Sequence, residues 1–329
     1  MRYRQLGQTS LRVSELGLGC ARIAGVFAER SRGGPRYLLD QVLDHGINFF
    51  DTADMYAQGE SEHLLGQVFA KRRSQVIIAT KAGYILPPQR KFVARIKPLL
   101  RPLVRALGLR RQQVSGTIRG EIQQQDFRPE YLIAAVEASL KRLRTDYIDL
   151  FQLHSPSAEV IRNGAFIEPL ERLKAQGKIR YYGIAADSVD DGLVTLQHDQ
   201  ISTVMTPFGL LDREALDHLL PQAQTQGIGI LARGCFGGGL LKPMPIEELR
   251  NLTPKWPQIA AFQELADQAG RPLIEIALQF VQASAGVSVN VLGMRTVEHL
   301  TTNLRYYEAP PLDPELYAKL LAVPRDGAT

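Results

Sequence analysis

Cysteine is nearly absent from this chain of 329 residues, which has only Cys20 and Cys235. Two cysteines exclude a disulfide framework and a Cys-rich metal site, and a reducing cytosol is the compartment that fits. No run approaches the roughly 18 apolar residues of a membrane-crossing helix. The first ten residues, MRYRQLGQTS, contain no apolar segment of the kind a signal peptide needs. Histidine is scattered at 45, 63, 154, 198, 218 and 299, with no His-x-x-x-His pair, so no metal site is expected. A G-x-S-x-G elbow for a serine nucleophile is also missing. Acid is missing from one long interval: between Glu62 and Glu121 there is no Asp or Glu. The overall formal charge of +5 is modest for this length, so nucleic acid is not an expected partner.

What is present is a repeating alternation. A hairpin is expected at the start, its strands flanking Gly7-Gln8-Thr9-Ser10. Eight apolar strands follow, over 16–20, 47–51, 76–81, 147–154, 179–186, 201–206, 228–233 and 287–293. Helical spacing follows each, over 35–45, 61–70, 129–144, 167–176, 188–197, 213–226, 257–269 with 272–283, and 297–306 with 314–321. Alternating strand and helix predicts a parallel sheet, and eight repeats predict a (β/α)8 TIM barrel, an α/β fold. Near-continuous apolar strands suit a sheet covered on both faces. The rival open sheet wants a G-x-G-x-x-G after its first strand, and Gly17-Leu18-Gly19-Cys20-Ala21-Arg22 lacks the third glycine. The expected organisation is one barrel domain over 1–329, with an N-terminal hairpin and an insertion over 84–127 after the third strand.

In such a barrel, catalytic side chains stand at the C-terminal ends of strands. Those ends hold Asp51, Lys81 and His154 on the second, third and fourth strands, and Tyr56 lies in the loop after Asp51. Neighbouring strands run about 4.8 Å apart, so the four side chains are expected together. Singly, each has a plainer reading: a turn carboxylate, an exposed lysine, a satisfied core histidine. Together they suit one task. A phenol is a sluggish acid at neutral pH, a nearby ammonium favours its phenolate, and a buried ammonium needs a carboxylate. A histidine can donate a hydrogen bond to a carbonyl oxygen and orient it. The set fits protonation of a carbonyl oxygen while hydride reaches its carbon.

The stretches DTADMYAQGESEHLLG, IATKAG, DLFQLHSP, GGGLL and GMRTVEHLTTNL, in that order, resemble the aldo-keto reductase superfamily over nearly the whole chain outside 84–127. The resemblance implies a nicotinamide cofactor held without a Rossmann domain and a tetrad of Asp51, Tyr56, Lys81 and His154. Tyr56 is then the general acid, tuned by Lys81 and Asp51, and His154 orients the substrate. The cofactor residues carried over are Gly19, Asp51, Ala185, Met205, Arg233, Gly234, Cys235, Phe236, Gly237, Gly239, Gly293, Arg295, His299 and Asn303. Here the pattern departs from the family. Its usual Ser-Asn pair after the fifth strand is Ala185-Ala186, its Gln on the sixth is Met205, and its stacking aromatic on the seventh is Arg233. The glycine-rich turn over 233–239 offers backbone N–H groups to a pyrophosphate, and the helix after Gly293 has an anion-favouring start. Arg295 and His299 resemble the group that meets a 2′-phosphate, and Asn303 the residue that meets adenine, so NADP(H) is expected over NAD(H).

The expected activity is interconversion of an aldehyde or ketone and its alcohol, with a small-molecule carbonyl or sugar as partner. Two alternatives stand beside it: oxidation of a sugar C1 hydroxyl, and cofactor sensing without catalysis. The insertion carries KFVARIKPLLRPLVRAL over 91–107, an amphipathic basic pattern interrupted by Pro98 and Pro102. A lid over the barrel mouth is the leading reading. A peripheral contact with an anionic membrane surface and a partner surface are the others.

Overall fold

Eight strands close into a parallel barrel in a computed structural model of the chain, which describes residues 1–25, 33–85 and 124–325. The N-terminal hairpin pairs β1 (Tyr3–Gln5) with β2 (Arg12–Ser14). The barrel strands are β3 (Leu16–Gly19), β4 (Phe49–Asp51), β5 (Ile77–Ala82), β6 (Ile148–His154), β7 (Ile179–Ala185), β8 (Thr203–Pro207), β9 (Gly229–Arg233) and β10 (Val287–Leu292). Their order around the barrel is β10-β3-β4-β5-β6-β7-β8-β9. The expected fold is therefore the observed one, and the open sheet is excluded. Every residue of β4, β5 and β10 is buried, as strands covered on both faces must be.

Leu18–Ala185 and Gly293–Val297 form one compact unit. Within it β4, β5 and β6 run parallel, with Asp51 opposite Ala79 and Lys81 opposite Gln152. Lys81 therefore stands two residues beyond the partner of Asp51, and His154 two beyond the partner of Lys81. Steps of two preserve the face that a side chain points to. The helix Pro129–Leu143 starts with proline in its first turn, where the missing N–H has no intrahelical partner to lose. Gly66, on the helix Glu60–Phe69, packs against its far end: a Cβ there would meet Arg142 O at 2.5 Å and Leu143 O at 2.6 Å.

The other unit comprises Met1–Gly17, Ala186–Leu292 and Glu298–Thr329. The hairpin is seated against the start of β9, where Gln8 N–H donates to Gly227 O at 2.7 Å. Glu15 ties that region down, accepting from Arg2, Arg4 and Tyr307. Arg213, with 1% of its surface exposed, donates to the carbonyl oxygens of Leu320, Leu321 and Val323 at the end of the helix Pro314–Ala322. A guanidinium at a helix C-terminus satisfies carbonyls that have no partner inside the helix.

Two expectations change in detail. The helix expected over 213–226 is broken into a turn, Glu214–Leu216, and a helix, Leu219–Gln226, with non-helical His218 between them. Pro221 explains the break, since proline is accepted in a first turn and not further in. A helix over Ala158–Asn163 was not expected; Ser157 caps it and Gly164 ends it in left-handed backbone. The insertion over 84–127, with its lid and membrane readings over 91–107, falls mostly on 86–123, outside the described residues. Its margins are joined: Ile85 N–H donates to Gln124 O at 2.9 Å and Asp126 N–H to Gly83 O at 2.8 Å. Among the described residues, no helix is long and apolar enough to cross a membrane.

Candidate active site

The loop after β4 is held in backbone that few side chains choose. Ala57 and Gln58 have φ of 50° and 62°, in the left-handed region, inside the turn Tyr56–Gly59. Ser155, directly after His154, has φ 55°. Such conformations cost about 1–3 kcal/mol each and persist only where surroundings impose them. Here hydrogen bonds do so: Gln58 N–H donates to Met55 O at 3.0 Å, and Ser155 N–H to Ala185 O at 2.9 Å.

The four expected residues come together inside one unit. Lys81, 1% exposed, donates from Nζ to Asp51 Oδ2 at 2.7 Å and to Thr52 O at 2.8 Å. Asp51 is 4% exposed, so this is a dry ion pair. The same Nζ lies 5.1 Å from the centre of the Tyr56 ring. The Tyr56 and His154 rings meet edge to face at 5.8 Å. Depth separates their tasks: the ion pair is buried, while Tyr56 and His154 are half-buried and can meet a ligand. Burial pulls the Lys81 ammonium toward its neutral form, but Asp51 and Tyr56 outweigh that pull, so its pKa stands raised.

A polar network behind the four was not legible as such. Thr52, next to Asp51, donates to Ser61 Oγ at 2.8 Å, and Ser61 donates to Cys20 O at 3.0 Å. Thr80, next to Lys81, donates to Glu62 Oε1 at 2.6 Å, and Arg142 Nε donates to Glu62 Oε2 at 2.6 Å. Ser61 and Glu62 thus fasten the start of the helix Glu60–Phe69 to both strands of the ion pair. In the sequence Ser61 and Glu62 mark only the start of the helix expected over 61–70, where Ser and Glu ordinarily serve as caps. Tyr84 and Gln125 were missed too. The Tyr84 ring packs edge-on to His154 at 4.9 Å. Gln125 Nε2 donates to His154 O at 3.1 Å and Ser155 O at 2.8 Å. Tyr131 O–H donates to Tyr84 O at 3.1 Å.

The expected cofactor residues are each placed within their own unit. Gly19 and Ala185 end β3 and β7, and Ala185 is 4% exposed. Arg295 follows Gly293 in the same unit as the tetrad. In the other unit Met205 is 2% exposed and offers only its carbonyl, which accepts from Ala186 N–H at 2.8 Å. Arg233 donates to Asp187 Oδ1 at 2.8 Å and Ala186 O at 3.2 Å. Phe236 leads into the turn Gly237–Gly239. Cys235 is buried, its thiol pushed up to about 12 by burial, so only its backbone could face a ligand. His299 lies in the helix Val297–Glu308, and Asn303 of that helix is 6% exposed. Gly234, Gly238 and Gly239 have positive φ and open space where a Cβ would stand. Space of that kind lets an anion approach backbone N–H groups. Gly293 has open space as well.

A model of the aldo/keto reductase family matches residues 15–323. The uncharacterized oxidoreductase YqkF of Bacillus subtilis (strain 168) is 30% identical over 325 residues, covering 96% of this chain and 94% of that protein. Pyridoxal 4-dehydrogenase of Microbacterium luteolum is 28% identical over 326 residues, covering 93% and 92%. Among solved structures, the holo form of aldo-keto reductase AKR11C1 from Bacillus halodurans superimposes with a TM-score of 0.78 at 30% identity, over 98% of this chain and 96% of that one.

Proposed function

This chain belongs to the aldo/keto reductase family and is an oxidoreductase, and on that premise we propose that it interconverts an aldehyde or ketone and its alcohol, with Tyr56 as general acid and base. The family uses nicotinamide cofactors, NAD(P)H. The glycines at 234, 238 and 239, open at the Cβ position, fit the phosphates of such a group. When bound, the nicotinamide supplies or accepts the hydride at the carbonyl carbon.

The observation that carries the reading is the buried Lys81–Asp51 pair beneath the Tyr56 ring. Asp51 keeps Lys81 charged in a dry setting, and a charged Lys81 favours the phenolate over the phenol. Tyr56 can then release its proton to a carbonyl oxygen, or take one from an alcohol, near neutral pH. His154, packed against both Tyr56 and Tyr84, donates a hydrogen bond to the substrate oxygen and sets its angle. Gln125 and Ser155 hold the end of β6 and so the ring. NADP(H) is the preferred cofactor on this reading, because Arg295 and His299 resemble the residues that meet a 2′-phosphate in the family and Asn303 resembles the one that meets adenine.

The test is a fluorescence titration with NADPH and NADH, then turnover of a panel of aldehydes, ketones and sugars read at the reduced-cofactor absorbance in both directions. NADPH is expected to bind more tightly than NADH. Tyr56→Phe is expected to bind NADPH like the wild type and to lose about 10²–10⁴-fold in kcat. Wild-type turnover of every carbonyl by Tyr56→Phe would sink the assignment.

A further inference from the structure

Asp54 is outside the tetrad, yet the fold seats it on the tetrad's supports. It lies between Asp51 and Tyr56 on one loop, and its amide N–H donates to Lys81 O at 3.0 Å. Lys81 Nζ in turn donates to Thr52 O. The loop from 52 to 54 is thus held at both ends by a single lysine, and Tyr56 follows two residues on. The Asp54 side chain keeps some exposure, but its Oδ1 is shielded from water and has no hydrogen-bond partner.

The groups facing it come from three elements. They are Glu62 on the helix Glu60–Phe69, Lys81 on β5, and Arg142 with Tyr131 on the helix Pro129–Leu143. Both cations are already bound to other carboxylates, Arg142 to Glu62 and Lys81 to Asp51. Glu62, fully buried and bonded to both Thr80 and Arg142, repels a second negative charge. Burial first, and Glu62 after it, push the Asp54 carboxyl up to about 7 against weaker pulls from Arg142, the Met55 amide and Lys81.

We propose that Asp54 is a positioning residue for proton transfer, a carboxyl that ionises beside Lys81 as pH rises and thereby keeps the Tyr56 phenol protonated. The proposal rests on the reading of Tyr56 as the general acid. A neutral Asp54 leaves the Lys81 charge free to favour the phenolate. An ionised Asp54 adds a negative charge two residues from the phenol and strengthens the hold on the Lys81 proton, so the phenol is harder to ionise. Tyr56 then remains an acid, suited to carbonyl reduction, into mildly alkaline solution.

The experiment follows the phenol itself and needs no turnover. The full chain is labelled with ¹³C at the tyrosine ζ carbon, and Tyr56 is assigned as the resonance lost in Tyr56→Phe. Wild type, Asp54→Asn and Asp54→Glu are titrated from about pH 5 to about pH 11. The wild-type Tyr56 signal is expected to move in a small step near pH 7 and a larger one at higher pH. In Asp54→Asn the small step disappears and the larger midpoint falls by about one pH unit, the size of one nearby charge at an effective dielectric of about 20. Asp54→Glu retains both steps. In Glu62→Gln, which removes the repelling carboxylate and serves if Asp54→Asn folds poorly, the small step moves to lower pH. A small step that survives in Asp54→Asn, a larger midpoint that does not move, or a small step unmoved by Glu62→Gln overturns the proposal. Failure of the Tyr56 reading is seen separately, as turnover unaffected by Tyr56→Phe.

Discussion

Removing the counter-charge from Lys81 is the most direct test of the buried pair. In Asp51→Asn the ammonium stays 1% exposed with a neutral amide and the Thr52 carbonyl as partners. Breaking one side of a buried ion pair costs about 3–5 kcal/mol, because a charge is left uncompensated in a dry place. At about 2.1 cal/mol/K per residue, unfolding 329 residues in one transition carries about 0.7 kcal/mol/K. The expected fall in Tm is therefore about 4–7 °C. The pH dependence should also reverse. In the wild type the Lys81 pKa is raised, so the stability it contributes is complete below the unfolded value of about 10.4 and is lost as pH rises through the folded value. In Asp51→Asn burial dominates and depresses it, so the unfolded chain binds more protons and stability climbs as pH rises toward about 10. Adding Lys81→Met to Asp51→Asn removes the orphaned charge and recovers most of the loss. Urea denaturation at several pH values, taken around the double-mutant cycle, measures all of this. A loss below about 1 kcal/mol in Asp51→Asn, unrelieved by Lys81→Met, would refute the claim that the pair is dry and coupled.

Gly66→Ala should destabilise by about 1–3 kcal/mol despite the better helix propensity of alanine, since its Cβ meets the Arg142 carbonyl oxygen at 2.5 Å; the urea midpoint reads it. Arg213→Met leaves the carbonyls of Leu320, Leu321 and Val323 without their donor, a loss of about 3 kcal/mol, and limited proteolysis should then cut the C-terminal helix first. Burial raises the Glu15 carboxyl, but Arg4, Tyr307 and Arg2 outweigh it and hold it below the ordinary carboxylate range. Its contribution is present above about pH 4.3 and lost as pH falls through the folded value, so Glu15→Gln should flatten the acid limb of the stability profile.

The strands were legible because a barrel strand is covered on both faces and must read as an apolar run. VIIATK and YIDLFQLH could scarcely be surface elements, and β5 and β6 occupy Ile77–Ala82 and Ile148–His154. Breaks set by local chemistry were harder to see. The interruption at His218 depended on how far into a helix Pro221 would be tolerated, and Ser157 needed Gly164 to be recognised as bounding a helix. Asp51, Lys81 and His154 were legible as a group because parity and strand order follow from the chain alone.

What the chain order could not convey is who stands behind the four. Ser61 and Glu62 read as helix-start residues, and only the packing of Glu60–Phe69 against β5 and Pro129–Leu143 turns Glu62 toward Thr80 and Arg142. Asp54 reads as a loop acid; the fold shields its Oδ1 and brings Glu62 up beside it. Sequence by itself determined the repeat, the fold and the identity of the paired charges, because periodicity and spacing are local properties of the chain. The tertiary structure decided burial and neighbours, and with them which carboxyl is held as a counter-charge and which is pushed toward its protonated form, because those depend on desolvation and on charges that only the fold brings alongside, from 8 to 88 residues away in the sequence.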